Sequence, residues 1–124
     1  MKEKTRKIVY WVLTGIVGLL FIASAMGKLF GSPDAVKMAE GFGLTAQTNM
    51  MLGIVELISV ILFVIPRTGV LGALLLTAYM GGAIATHLEH GQPVVAPMII
   101  EAILWLVMVF RFPELKTKLM KGNA

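Results

Sequence analysis

Residues 48–65 read TNMMLGIVELISVILFVI, and Glu56 is the only charged residue among them. A run of this length and apolarity has the dimensions of a helix crossing a lipid bilayer, where each backbone group must be satisfied within its own segment. An ionised carboxylate at such depth costs at least ~2.5 kcal/mol. Glu56 must therefore face protein, water or a ligand rather than acyl chains. The stretch predicts two things together: a spanning helix, and a polar place inside whatever that helix packs against.

Three further runs of the same kind lie on either side, from about Ile8 to Gly27, Thr68 to Leu88 and Val94 to Phe112. The last carries a second carboxylate, Glu101. None has the strict alternation of a barrel strand. The expected fold is all-α: an integral membrane four-helix bundle forming one domain over residues 1–124, with a short amphipathic helix in the first outer loop. The chain has 124 residues, 57% of them hydrophobic and 15% charged. Four crossings leave no room for a soluble catalytic domain, and the surface has too little charge for a soluble protein of this size.

The basic residues set the orientation. Lys2, Lys4, Arg6, Lys7, Arg67, Arg111, Lys116, Lys118 and Lys121 fall on one side of the four runs, and only Lys28 and Lys37 on the other. By the positive-inside rule both termini are cytoplasmic. The same clusters favour membrane lipid with anionic headgroups; they are too few and too divided for nucleic acid. Ala23-Ser24-Ala25 after a basic, apolar start imitates a signal cleavage site. The apolar run continues to Gly27, however, and cleavage would discard the helix carrying Lys28, so retention is expected. The absence of cysteine excludes disulfides, thiol chemistry and iron–sulfur ligation by this chain.

Local signals fill in the connections. Ser32-Pro33-Asp34 is a helix start, with a capping hydroxyl, proline at the first position and an acid in the first turn; it opens the short outer helix that closes at Gly41 and Gly43. Pro66-Arg67-Thr68-Gly69 and Gly91-Gln92-Pro93 make tight turns, which predicts antiparallel neighbours. In the third run Gly69, Ala73, Thr77, Gly81 and Ala85 recur every fourth residue, beside a second row of Ala78, Gly82 and Thr86. Small residues so spaced allow close helix approach in lipid, which predicts that this helix is the packed centre. A faint repeat relates Met26-Gly27 to Met80-Gly81 and Val55-Glu56 to Ile100-Glu101.

Depth arithmetic gathers the polar side chains. Lys28 and His87 stand near the outer ends of the first and third helices. Glu56 and Glu101 lie ~10–12 Å below the outer boundary at 1.5 Å per residue. Ser24, Thr86, Ser59 and Tyr79 stand near enough to add hydrogen bonds. The expected cluster is thus Lys28, Glu56, His87, Glu101, Ser24 and Thr86, in the outer half of the bundle. One reading is structural: a buried ion pair that fixes helix register. The other is a ligand site, because ionisable groups within a membrane are functional by default. A quinone, or another lipid with a polar head, suits donors and a carboxylate set beside an apolar channel. Two histidines on one stretch do not suit haem, His87 and His90 with Glu89 read better as a solvated turn than as a metal site, and no polar stripe continues inward as a channel would require. The nine methionines are flexible packing.

Gly27-Lys28-Leu29-Phe30, Gly53-Ile54-Val55-Glu56-Leu57, Pro66-Arg67, Leu71-Gly72-Ala73, Gly81-Gly82-Ala83 with Thr86-His87, Pro93 and Arg111 follow in an order and spacing that resembles the DoxX-like family of small four-helix bacterial membrane proteins. Lys28 and Glu56 match that family's polar positions, and His87 the end of its third-helix motif. The resemblance implies a bacterial inner-membrane protein. Named relatives include subunits linked to thiosulfate:quinone oxidoreduction and to redox complexes. No catalytic assignment comes with the resemblance, and the expected role is a non-catalytic component or partner of a membrane redox system, without activity on its own, with a redox protein partner and oligomer formation left open. The alternative is a structural or assembly factor whose lysine–glutamate cluster only stabilises the bundle. Lacking cysteine, this chain departs from members whose chemistry needs thiols.

Overall fold

The structure is a computed structural model and describes residues 2–120, so Lys121 lies outside the described residues. Six α-helices follow one another: α1 (Glu3–Phe30), α2 (Pro33–Gly41), α3 (Ala46–Val64), α4 (Gly69–Glu89), α5 (Val95–Arg111) and α6 (Pro113–Met120), with a single 3₁₀ turn, Pro66–Thr68, between α3 and α4. There is no strand among the described residues. The four long helices make a ring in which α1 packs on α3, α3 on α4, α4 on α5 and α5 back on α1.

Their ends follow local chemistry. Nothing breaks the helix N-terminal to Ile8, so α1 runs 28 residues, about 42 Å at 1.5 Å per residue. It stops at Gly31, which takes the left-handed conformation (φ 67°) open to glycine, while Ser32 N donates to Gly27 O at 2.9 Å. Ser32 then caps α2 as expected, its hydroxyl accepting from Ala35 N at 3.2 Å with Pro33 at the first position. Thr45 caps α3 in the same way, accepting from Thr48 N at 3.1 Å. That cap starts the helix two residues before the predicted Thr48.

Val17, Phe21, Val60, Phe63, Leu76 and Leu104 form the core, with all four long helices contributing. Outward-facing positions such as Leu19, Ile58 and Leu106 are exposed leucines and isoleucines, a surface suited to hydrocarbon rather than water. Three helical stretches are long and apolar enough to cross a membrane: α1, α3 and Pro66–Glu89. α5 has 17 residues, about 25 Å, and meets that standard only together with α6, across a 114° bend.

The prediction for α4 needs correcting. Gly72 does meet α3 at its backbone: a Cβ there would run into the main chain of Leu62 and Phe63. Gly81 and Gly82, by contrast, have open space where a side chain would stand. Of the small-residue rows, Gly69 and Ala73 are buried while Gly81 and Gly82 are not, so close packing is confined to the first half of α4. α4 is one member of the ring, not its centre.

At the α6 end, Arg111 is 6% exposed and has no carboxylate partner among the described residues. Its guanidinium donates to Phe63 O at 2.6 Å and Val64 O at 2.9 Å, and lies over the rings of Trp11 and Phe112. The carbonyl end of the α3 dipole stands in for a counter-ion. Arg6 does the same for α5, donating to Phe110 O at 2.6 Å while paired with Glu3.

Candidate functional site

The buried face of α3 is a single stripe: Asn49, Gly53, Glu56, Ser59, Val60 and Phe63. Gly53 sets the distance to α1, because a Cβ there would stand 2.9 Å from Lys28 Cβ and 3.1 Å from Ala25 O. With no side chain in the way, the stem of Lys28 crosses α3 and its ammonium turns toward Glu56. Lys28 Nζ lies 3.0 Å from Glu56 Oε1, a salt bridge whose side chains are 15% and 2% exposed. Lys28 Nζ also donates to Ser24 Oγ at 2.7 Å, and Ser24 Oγ donates to the same carboxylate oxygen at 3.1 Å. Tyr79 OH approaches that oxygen at 3.5 Å, with its ring 5.7 Å from the ammonium. One oxygen of Glu56 is thus the focus of three helices.

These groups line a cavity of about 940 Å³ walled by α1, α2, α3, α4 and α5, within the ~300–1,000 Å³ range of small-molecule sites. Ser24, Lys28, Glu56, Tyr79, Thr86 and His87 all reach it, and most of the remaining wall is apolar. Thr86 and Ser59 are less available than expected: Thr86 Oγ1 donates to Gly82 O at 2.8 Å and Ser59 Oγ to Val55 O at 2.7 Å. His87 reaches the cavity without hydrogen-bonding to Lys28 or Glu56. Its Nδ1 lies 2.6 Å from Ala83 O, and a carbonyl only accepts, so Nδ1 carries hydrogen and Nε2 is the ring nitrogen left for a ligand. Phe42, at the end of α2, packs edge-on against this imidazole with centroids 4.8 Å apart.

Glu101 does not belong to the cluster. It sits on the helix diagonal to α3 and turns toward α4, where Trp105 Nε1 donates both to Glu101 Oε1 at 3.0 Å and to Thr77 Oγ1 at 2.8 Å. Its other oxygen is enclosed without a hydrogen-bond partner. Depth along a helix axis brought the two glutamates to one level; helix phase separates them.

Sequence reasoning missed Asn49, which is 6% exposed and lines both this cavity and a smaller one of about 320 Å³ beside α2. The available signal was its place one helical turn before Gly53 on the stripe that carries Glu56. Among the described residues no three His, Asp or Glu side chains gather closely enough to hold a metal ion.

A ring of long apolar helices around a cavity with an ion pair in its wall defines a multi-pass membrane protein with an internal polar site. The model of the DoxX-like family matches residues 12–110, and the chain belongs to that family. The match takes in every cavity residue named above. No curated protein and no solved structure matches the chain.

Proposed function

We propose that the protein is a quinone-holding, non-catalytic component of a membrane redox system, resident in the bacterial cytoplasmic membrane with both termini inside. α1, α3, α4 and α5 are then the four crossings, and the cavity lies in the outer half of the bundle. α6, turned 114° from α5, lies along the cytoplasmic interface with Lys116 and Lys118 toward lipid headgroups. The observation that carries the reading is the cavity itself: about 940 Å³, mostly apolar, with Lys28 and Glu56 in its wall. The third hydrogen of the Lys28 ammonium supplies a donor for a quinone carbonyl. His87 Nε2 and the carboxylate supply acceptors for a quinol hydroxyl, and the apolar wall takes the tail. Electrons come from a redox protein partner, and oligomers are compatible with the apolar outer faces.

The test is extraction of the lipids that copurify from native membranes, followed by mass spectrometry for quinones. Wild type should retain quinone, and Glu56→Gln should retain markedly less. Wild-type protein free of both quinone and quinol would refute the reading.

A second reading has one specific observation in its favour. Lys28 and Glu56 join α1 to α3 beside Gly53, where a Cβ would collide with α1. On that reading the pair only fixes packing, and the protein is a structural or assembly factor. A neutral replacement of both residues separates the two: it preserves folding on either reading and removes ligand only if the cavity is a site.

A further inference from the structure

We propose that Asn49 is the second polar anchor of the cavity's ligand, holding the head oxygen of a quinone in its oxidised and its reduced form alike. The inference rests on the quinone reading above and deepens it. Asn49 is 6% exposed, yet among the described residues its side-chain amide has no hydrogen-bond partner. Its position does not need an amide for the helix. Thr45 already caps α3, and Asn49 N donates to Thr45 O at 3.0 Å as an ordinary helical bond. The amide atoms are not among the enclosed, unpaired ones, so they open onto accessible space, and that space is the cavity, since Asn49 lines both cavities.

Lys28 also borders both cavities. Its stem crosses α3 at Gly53, so Glu56 stands less than one turn to one side and Asn49 about one turn, ~6 Å, to the other. Two of the ammonium's three hydrogens go to Ser24 and Glu56, leaving one for a ligand. A quinone carbonyl oxygen accepts from the Asn49 amide N–H, while the free Lys28 N–H is a separate donor in the same cavity wall. A quinol hydroxyl instead donates to the amide oxygen. An amide does both by turning about its last bond, without gaining or losing a proton. Neither a hydroxyl-free apolar residue nor an acceptor-only carboxylate can.

The experiment uses full-length protein in phosphatidylcholine nanodiscs, titrated with decyl-benzoquinone and separately with its reduced quinol under argon. Wild type should bind both. Asn49→Leu should bind each about tenfold more weakly, the scale of one lost hydrogen bond. Asn49→Asp, isosteric and independent of the Leu variant's folding, should lose quinone affinity more than quinol affinity. The ligand-free melting temperature of the Asp variant should stay near that of wild type. Wild-type affinity in both variants overturns the role of Asn49 and leaves the cavity reading standing. Loss of only one redox form in Asn49→Leu, or a drop in ligand-free stability that accounts for the weaker binding, also overturns it. Absence of binding to wild type overturns both this inference and the quinone reading, and is distinguished by that control.

Discussion

Lys28→Met should destabilise the protein more than Glu56→Met does, and the two changes together should restore most of what either loses. Removing one partner of a buried ion pair costs about 3–5 kcal/mol, because the other charge is left enclosed. Here the two sides are unequal. Glu56 is 2% exposed on α3, while the Lys28 side chain is 15% exposed at the end of a long flexible stem. Without Lys28, the carboxylate keeps only the Ser24 hydroxyl at 3.1 Å and the distant Tyr79 hydroxyl at 3.5 Å. The loss should fall near the lower end of that range, about 3 kcal/mol, or roughly two orders of magnitude in the unfolding equilibrium. Without Glu56, the ammonium keeps Ser24 and can turn outward on its stem, so that loss should be about 1–2 kcal/mol. The double variant fills the site with apolar side chains of similar volume and should lie within about 1 kcal/mol of wild type. Reversible unfolding in mixed micelles of increasing SDS fraction, followed by circular dichroism, measures all three. Equal losses in the two single variants, or a double variant as unstable as their sum, would refute the assignment of Glu56 as the buried charge that Lys28 neutralises.

Two further outcomes test the packing around the site. Arg111→Met should cost about 3 kcal/mol in the same assay, since it strips charged hydrogen bonds from Phe63 O and Val64 O. Arg111→Lys should recover less than half of that, because one ammonium neither bridges two carbonyls in a fork nor stacks on Trp11 and Phe112. Gly72→Ala should cost at least about 1–3 kcal/mol by pressing on the α3 backbone. Gly81→Ala, with open space at that position, should be neutral or stabilise the helix by up to about 1 kcal/mol. Melting temperatures in detergent suffice for the glycine pair, and a reversed order would contradict the ring packing.

Much of the architecture was legible because one-dimensional rules govern it. Ser32-Pro33-Asp34 announced α2 through capping chemistry that acts within four residues, and Pro66 and Gly91 announced turns through backbone chemistry alone. The Lys28–Glu56 pair was legible for a different reason: a charge that cannot face lipid has few places to go, and α1 offers one opposite charge at the right depth. What eluded the sequence was angular. A row of Gly69, Ala73, Thr77, Gly81 and Ala85 states a spacing, not how far along the helix a neighbour remains close. Gly69 and Ala73 of that row are buried, whereas Gly81 has open space beside it. Arg111 looked like a flanking cytoplasmic charge, because its partners are backbone carbonyls, which every residue has.

Glu101 shows how the faint repeat and the helix phase are one observation. In the ring, α1 lies diagonal to α4 and α3 to α5, the arrangement that two similar halves related by a two-fold axis would produce. Under that relation Glu56, facing α1, corresponds to Glu101, facing α4. Glu56 meets Ser24 and Glu101 the neighbourhood of Thr77. Carboxylates on diagonal helices turn toward different neighbours, as Glu56 and Glu101 do, which is why depth alone misplaced Glu101. Aligning Met26-Gly27 on Met80-Gly81 also puts Gly82 where Lys28 stands, so no cation stands at that position of the second half. Trp105 supplies an indole N–H to one oxygen of Glu101, and the other is left without a partner. Both halves line the cavity, but only Glu56 has a lysine beside it in that wall, and for that reason the proposed ligand site is centred on Glu56 rather than Glu101.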